Sequence, residues 1–270
     1  MCIFLLIWNV NLGLFIYLRI QSPNSNTLNH WWHIIIFDKI SSKFQVRLKD
    51  RANAANILGE ALKDVIKKEQ ERKASIVFGI PRGGVIVGDI IARKLACEFD
   101  IIIPRKLRAP HSEELAIGAV MEDGTTYLND ELIRELEISQ EYIEKEKIEQ
   151  IEEIKRRYSL YQTVERRRRE YQFKDKTVIL ADDGAATGAT IIAAARWIKK
   201  KTNNPKSHLI IAVPVVPKQT KELLRRESDH VEVILSPSTF NFKSVEQYYQ
   251  SFEPVTDEQV INIMERNRGY

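Results

Sequence analysis

The sequence predicts an α/β protein: an open, doubly wound, mainly parallel sheet with a long helical insertion and a C-terminal hood. Three observations predict it. Short, almost wholly apolar runs alternate with amphipathic runs across residues 44–270, the pattern of strands buried on both faces and joined by crossover helices. Two of the apolar runs end in glycine-containing turns, PRGG at Pro81–Gly84 and DDGAATGAT at Asp182–Thr190. Turns at the carboxyl ends of strands are where open sheets of this kind bind ligands.

Bulk properties narrow the function classes. A chain of 270 residues suits one α/β domain with additions, or two small domains. The formal net charge of +4 is too mild to demand a nucleic-acid partner. Cys2 and Cys97 form no pattern, so neither a disulfide scaffold nor a zinc site is expected, and a reducing cytoplasm fits. No internal repeat is evident.

Residues 1–43 stand apart as a hydrophobic N-terminal extension. Met1 to Leu18 carries no charge and Arg19 follows. As a helix rising about 1.5 Å per residue it would extend roughly 27 Å, marginal for a bilayer. Asn9, Asn11 and Gly13 weaken that reading, and neither a basic start nor a small-residue cleavage site marks a secretory signal. Three readings stay open: a membrane anchor confined to residues 1–20, a hydrophobic arm packed on the body or on a partner, and upstream sequence translated from a misassigned start. The last is favoured, because the first domain-like pattern begins at Phe44.

The body then runs in order. DRANAANILGEALKDVIKKEQ predicts an amphipathic helix, with Ala54, Leu58, Leu62 and Val65 three or four apart. ASIVFGI predicts a short buried strand, PRGG stops it, VIVGDIIARKLA predicts a helix, and FDIIIPRKL a second strand. This β–turn–helix–β unit implies parallel pairing. Residues 107–130 read as a loop with a small hairpin, turned at Asp123-Gly124. A long charged helix is expected over about 139–171, with Ile143, Ile151, Ile154, Tyr158 and Tyr161 on one stripe. TVILADD, TIIAAARWIKKK, HLIIAVPVV, KQTKELLRRE and VEVIL continue the strand–helix alternation, and an aromatic tail occupies about 236–270.

The loop after TVILADD carries the clearest chemistry. Gly184 and Gly188 let backbone turn tightly and approach a ligand. The following helix N-terminus offers unpaired N–H groups and a partial positive charge, which suit a phosphate. Thr187 and Thr190 can add hydroxyls, and the alanines leave space. Adjacent acids beside a phosphate repel it unless a sugar or a metal intervenes. Ribose can donate two hydroxyls to carboxylates, and a divalent cation can bridge. The stretch therefore reads as a site for a ribose 5-phosphate unit with Mg²⁺ nearby.

An apolar strand, an acidic pair and then G-x-x-T-G-x-T resembles the phosphoribosyl-diphosphate motif of the type I phosphoribosyltransferases, over Val178–Thr190. GIPRGG resembles their pyrophosphate loop. RKLRAPHSEELAIGAV occupies the place of their mobile active-site loop, and the aromatic tail that of their hood. Together with DRANAANILGEAL and SFEPVTDEQV, these segments resemble a branch whose members are classed only as predicted phosphoribosyltransferases. The resemblance covers about Phe44 to Ile263.

The resemblance implies roles. Asp182 and Asp183 would hold the ribose hydroxyls, with Mg²⁺ held indirectly through ribose or water. Gly184, Ala185, Ala186, Thr187, Gly188, Ala189 and Thr190 would wrap the 5-phosphate. Arg82, Gly83 and Gly84 would meet the pyrophosphate. Arg105, Lys106 and Arg108 would neutralise the leaving group when the loop closes, and Glu114, with Glu113 and His111, would be candidates for proton handling. The implied activity is transfer of a phosphoribosyl group from 5-phosphoribosyl 1-diphosphate to a nucleobase-like nitrogen, in a homodimer. One departure matters: several purine-salvage members carry an acid at the position of Ala186, and alanine cannot handle a proton. A sensor of the donor that has lost transfer, motivated by the basic Arg156–Arg169 helix, and a hydrolase of phosphoribosyl compounds stand as alternatives.

Blander readings apply to the same residues. Asp182-Asp183 could simply end a strand and cap a helix. VILADD resembles a Walker B strand, but no G-x-x-x-x-G-K-[ST] occurs, so a P-loop NTPase is excluded. Phe240, Phe242, Tyr248, Tyr249 and Phe252 could be core, and ERRRRE at Glu165–Glu170 could be a solvated helix end.

Overall fold

The computed structural model describes the backbone of residues 3–10 and 13–20, and residues 47–67, 74–162, 173, 176–202 and 208–267 apart from the side chains of Glu113 and Glu114. The chain divides into two compact units, Met1–Val46 and Arg47–Tyr270. In the first, β1 (Ile3–Val10) pairs antiparallel with β2 (Gly13–Ile20), from Ile3↔Ile20 to Val10↔Gly13. The helix considered for Met1–Leu18 is therefore replaced by a hairpin. Ile, Val, Phe, Tyr and Trp favour strands, and an apolar run alone does not separate strand from helix. Among the described residues no helix is long and apolar enough to cross a membrane.

The second unit holds a five-stranded parallel sheet. Helix α1 (Arg51–Val65) precedes β3 (Ile76–Gly79), α2 (Gly83–Leu95) and β4 (Glu98–Ile101). After an insertion come β8 (Thr177–Ala181), α5 (Ala189–Thr202), β9 (His208–Ala212), α6 (Lys218–Arg226) and β10 (His230–Glu232). The spatial order is β10-β9-β8-β3-β4, all parallel. From β3 the chain winds one way to β4, and from β8 it winds the other way to β9 and β10. The switch point thus lies between β3 and β8, the strands that carry the two singled-out turns.

Alternate residues of each strand feed two cores. Val77, Phe99, Ile101, Ile179 and Ile210 pack with α1, α2 and α7 (Asp257–Arg266) on one face. Ile76, Phe78, Val178, Leu180 and Ile211 pack with α5 and Phe173 on the other. Burial on both faces is why these strands read as continuous apolar runs.

The insertion differs from its expected form. FDIIIPRKL is not one strand. It breaks at Pro104, which has no N–H to continue a ladder, into β4 and β5 (Arg105–Ala109). Strand β5 pairs with β6 (Ser112–Val120), and β6 with β7 (Thr126–Leu128), in a separate antiparallel sheet. The segment read as a loop is therefore mostly strand, although its turn sits where expected, with Gly124 at φ 82°. After α3 (Asp130–Glu135), helix α4 spans Gln140–Tyr161, and residues 163–171 of the expected 139–171 helix lie outside the described set. Ile143, Ile154 and Tyr161 are buried as the stripe predicts. Buried Glu146 and Gln150 were not anticipated. They fasten β5: the Arg108 N–H donates to Glu146 Oε1 at 3.1 Å, and Gln150 Nε2 to the same oxygen at 3.2 Å.

Candidate functional site

Two helix N-termini, those of α2 and α5, converge at the crevice between the ends of β3 and β8. The turn before α2 is pressed onto the acidic pair. A Cβ on Gly83 would lie 1.8 Å from Asp183 Oδ2, and one on Gly84 would lie 2.7 Å from the Ala181 carbonyl and 2.8 Å from Asp182 Cα. At Gly84 the nearest obstacles are main-chain atoms that cannot swing aside, whereas at Gly83 they are the Asp183 and Arg51 side chains. Arg82 is exposed, makes no side-chain cap of α2, and has Nη1 3.7 Å from Asp257.

The loop after β8 is open where a phosphate would need it to be. Among the described residues, the N–H groups of Ala186, Thr187, Gly188 and Thr190 have no hydrogen-bond partner, and the Ala189 N–H reaches Thr187 Oγ1 only at 3.4 Å. Ala186 and Thr187 are exposed. Gly188 takes φ 75°, a conformation natural for glycine. Ala185 departs from its expected place in the cradle. It is buried, and its N–H donates to the Val215 carbonyl at 2.9 Å, so that group is committed to the fold. Thr220 supports the loop from below, donating to the Ala186 carbonyl at 2.6 Å.

The two acids are treated differently. Asp183 Oδ2 accepts from Arg51 Nε at 2.6 Å, and the Asp183 carbonyl accepts from the Tyr249 hydroxyl at 2.7 Å. Asp182 Oδ1 accepts the Asp183 N–H at 2.9 Å. Desolvation first, and then the adjacent Asp183 charge, push the Asp182 carboxyl well above the usual carboxylate range, with Lys106 pulling the other way. Hydroxyl donors or a cation at this carboxyl would relieve the penalty on its charge.

Not every candidate converges. On β5 alternate side chains diverge. Exposed Lys106 is felt by Asp182. Arg105 turns to α4 instead, where its Nε donates to Gln150 Oε1 at 3.0 Å, and desolvation first lowers its pKa. His111 sits in the β5–β6 turn with φ 61°. The Glu113 and Glu114 side chains lie outside the described residues.

The hood contributes more than aromatic surface. Short 3-10 turns at Thr239–Asn241 and Glu246–Tyr248 precede α7. Tyr249 is buried and packs on Phe252 with the rings tilted by 33° and centroids 4.8 Å apart, while Phe240 is 95% exposed. Val245 packs on Gly184, where a Cβ would lie 2.2 Å from Val245 Cγ1. Leu48 bridges to the hood, its N–H donating to the Tyr248 carbonyl at 2.8 Å. Sequence reading missed Arg51 and Val245 as site neighbours, and named Tyr249 only as one of five aromatics in the hood. Only Arg51 left a signal: a cation at the first position of a helix without an acid in its first turn, where the helix dipole disfavours it.

Comparison with known proteins agrees with this architecture. The phosphoribosyl transferase domain model matches residues 45–250. Proteins of Mycobacterium tuberculosis strains CDC 1551 / Oshkosh and ATCC 25618 / H37Rv, which carry phosphoribosyl transferase as a provisional name, are each 30% identical over 217 residues, or 80% of this chain. The matched region spans only 46% of the length of each. The crystal structure of a Thermus thermophilus protein is similar with a TM-score of 0.64 and 35% identity, over 82% of this chain and 99% of that one. A sheet switching hands at an acidic pair and a glycine turn, and a domain match across most of the chain, lead to one conclusion: the chain belongs to the phosphoribosyltransferase family.

Proposed function

We propose that the chain transfers a 5-phosphoribosyl group from 5-phosphoribosyl 1-diphosphate to a nitrogen of a nucleobase-like acceptor, releasing pyrophosphate, with Mg²⁺ as cofactor. The observation that carries this reading is the β8 loop, four of whose N–H groups have no partner among the described residues and lie beside an acidic pair at the switch point. Those N–H groups would take the 5-phosphate. Asp182 and Asp183 would accept hydrogen bonds from the ribose hydroxyls. Arg82 and the backbone at Gly83 and Gly84 would receive the diphosphate. As the bond from the anomeric carbon to pyrophosphate breaks and the bond to the acceptor nitrogen forms, positive charge grows on the ring and negative charge on the leaving group. Lys106, whose charge is felt at Asp182, would offset the latter. Ala186 brings no proton-handling group, so the acceptor's proton leaves by another route.

The residues present fit Mg²⁺ in an indirect role. Among the described residues no three His, Cys, Asp or Glu cluster as ligands. Two carboxylates, one already paired with Arg51, suit a cation that completes its shell with ligand oxygens and water. Asp182 and Asp183 would hold it through those oxygens, and when bound it would offset charge on the diphosphate.

The test is pyrophosphate release by the full chain with MgCl₂, donor and a panel of bases. Base-dependent release is expected. Donor binding with silence across the panel would favour a sensor, and release without any base would favour a hydrolase. The proposal needs only the 44–270 domain, so deletion of residues 1–43 should leave donor binding intact. A homodimer is part of the proposal, to be checked by light scattering.

A further inference from the structure

Arg51 occupies a position that helix energetics disfavour, as the first residue of α1 behind the Asp50 N-cap. Three contacts from distant parts of the chain hold it there. Its Nε donates to Asp183 at 2.6 Å, its Nη1 donates to the Glu253 carbonyl at 2.7 Å, and its guanidinium carbon lies 3.6 Å from the Phe252 ring centroid. The paired side chains are only 11% and 17% exposed. A Cβ on Gly83 would also lie 2.9 Å from Arg51 Nε, so the ion pair closes directly over the turn assigned to pyrophosphate. Among the described residues its Nη2 has no hydrogen-bond partner.

We propose that Arg51 is a resident cation of the donor site: it neutralises Asp183 from the protein side and supplies part of the positive charge that Mg²⁺ otherwise brings. This rests on the donor-site reading above. Arg51 is then a positioning residue. It fixes one Asp183 oxygen, leaving the other to face the ribose, and it ties that carboxylate to the hood through Phe252 and Glu253. With Arg51 in place an ionised acid pair shows the ligand a net single negative charge. Without it the pair shows two, and an anionic donor binds more weakly unless a divalent cation accompanies it.

The test is donor affinity by calorimetry, in chelator and across a MgCl₂ titration, for the wild type, Arg51→Gln and Arg51→Lys, with folding checked by circular dichroism. For Arg51→Gln, affinity in chelator should fall about tenfold or more and return to within about threefold of wild type at saturating Mg²⁺. Arg51→Lys keeps the charge and should track the wild type within about threefold at both extremes. An equal loss at every Mg²⁺ level would mean a purely structural role and overturn the inference. Tighter binding by Arg51→Gln would make Arg51 a block on the site and overturn it too. If Arg51→Gln does not fold, a steepened Mg²⁺ dependence in Arg51→Lys would overturn it, and an unchanged one would support it. A wild type that binds no donor at all would remove the donor-site reading, and this inference with it.

Discussion

The turn after β3 and the loop after β8 share one crevice but are held by different means. In the β3 turn the backbone does the holding: Gly83 and Gly84 lie so near the acids that a methyl group does not fit, and Arg82 extends outward. In the β8 loop side chains do it: Arg51 and Tyr249 clasp Asp183, Thr220 braces Ala186, and Asp182 is kept short of water. Peptide groups can meet a phosphate without the help of a side chain. An adjacent pair of carboxylates needs partners, and Asp183 takes its own from residues far away in the chain, Arg51 and Tyr249.

If the β8 acids grip ribose, replacing them has the largest effect. Asp182→Asn with Asp183→Asn should abolish turnover and weaken donor binding about a hundredfold or more, since a hydrogen bond to a charged group contributes about 1.5–3 kcal/mol. Calorimetry with donor and Mg²⁺ checks this, and unchanged affinity would refute the ribose grip. The fold should survive, because neither acid contributes to the two apolar cores.

Next in size is Gly84→Ala, which attacks the backbone contact between the two turns. Its Cβ would meet the Ala181 carbonyl at 2.7 Å and Asp182 Cα at 2.8 Å. Both are main-chain atoms and cannot swing aside, so the change should cost about 1–3 kcal/mol of stability. Thermal melts measure that cost, and donor affinity should fall with it. Gly83→Ala should cost less stability, because its obstacle is a carboxylate oxygen 1.8 Å away, yet it should unseat Asp183 from Arg51.

The sheet and the β8 loop were legible in the sequence for local reasons. Four- and five-residue apolar strands such as Ile76–Gly79 and Thr177–Ala181 end at glycine or acid within a few positions. The run Thr187-Gly188-Ala189-Thr190 states its own geometry through small residues. The partners of the acids were not legible, because Arg51 and Asp183 are 132 residues apart and no local pattern links them. The β5–β6 pair was hidden by its composition. Only Leu107 and Ala109 of RKLRA enter the apolar core; Arg105 and the Arg108 N–H bond instead to Gln150 and Glu146 of α4, which resemble solvated helix residues until their burial is seen. The N-terminal hairpin was ambiguous for a different reason: a nearly unbroken apolar run carries no period.

A smaller effect separates two neighbours on β5. Lys106→Met should lower turnover about tenfold, for loss of one charge worth about 1.4 kcal/mol at the leaving group, with a smaller shift in melting temperature than Arg105→Met gives. Arg105→Met should do the reverse. It removes the bond to Gln150, costing about 1 kcal/mol of stability, while turnover stays within a few-fold. Equal catalytic losses would mean that β5 moves enough to bring both cations to the diphosphate.

The smallest expected effect concerns pH. Desolvation and Asp183 raise the Asp182 carboxyl in the folded chain above the ordinary 3.8. Below that ordinary value both folded and unfolded chains hold the proton, and Asp182 contributes nothing. Between the ordinary and the raised value the folded chain holds one proton more than the unfolded chain, so stability falls as pH rises. Above the raised value the full penalty of a desolvated charge is present, offset in part by Lys106 and the Asp183 N–H. Asp182→Asn cannot ionise and should escape this loss. Its melting temperature relative to wild type should therefore climb from acidic pH and then level off, in the absence of donor. Donor and Mg²⁺ favour the ionised carboxyl and should narrow the gap. A difference that stays flat across pH would show that Asp182 carries no such penalty, and that the β8 loop gives up no stability to keep its charge ready.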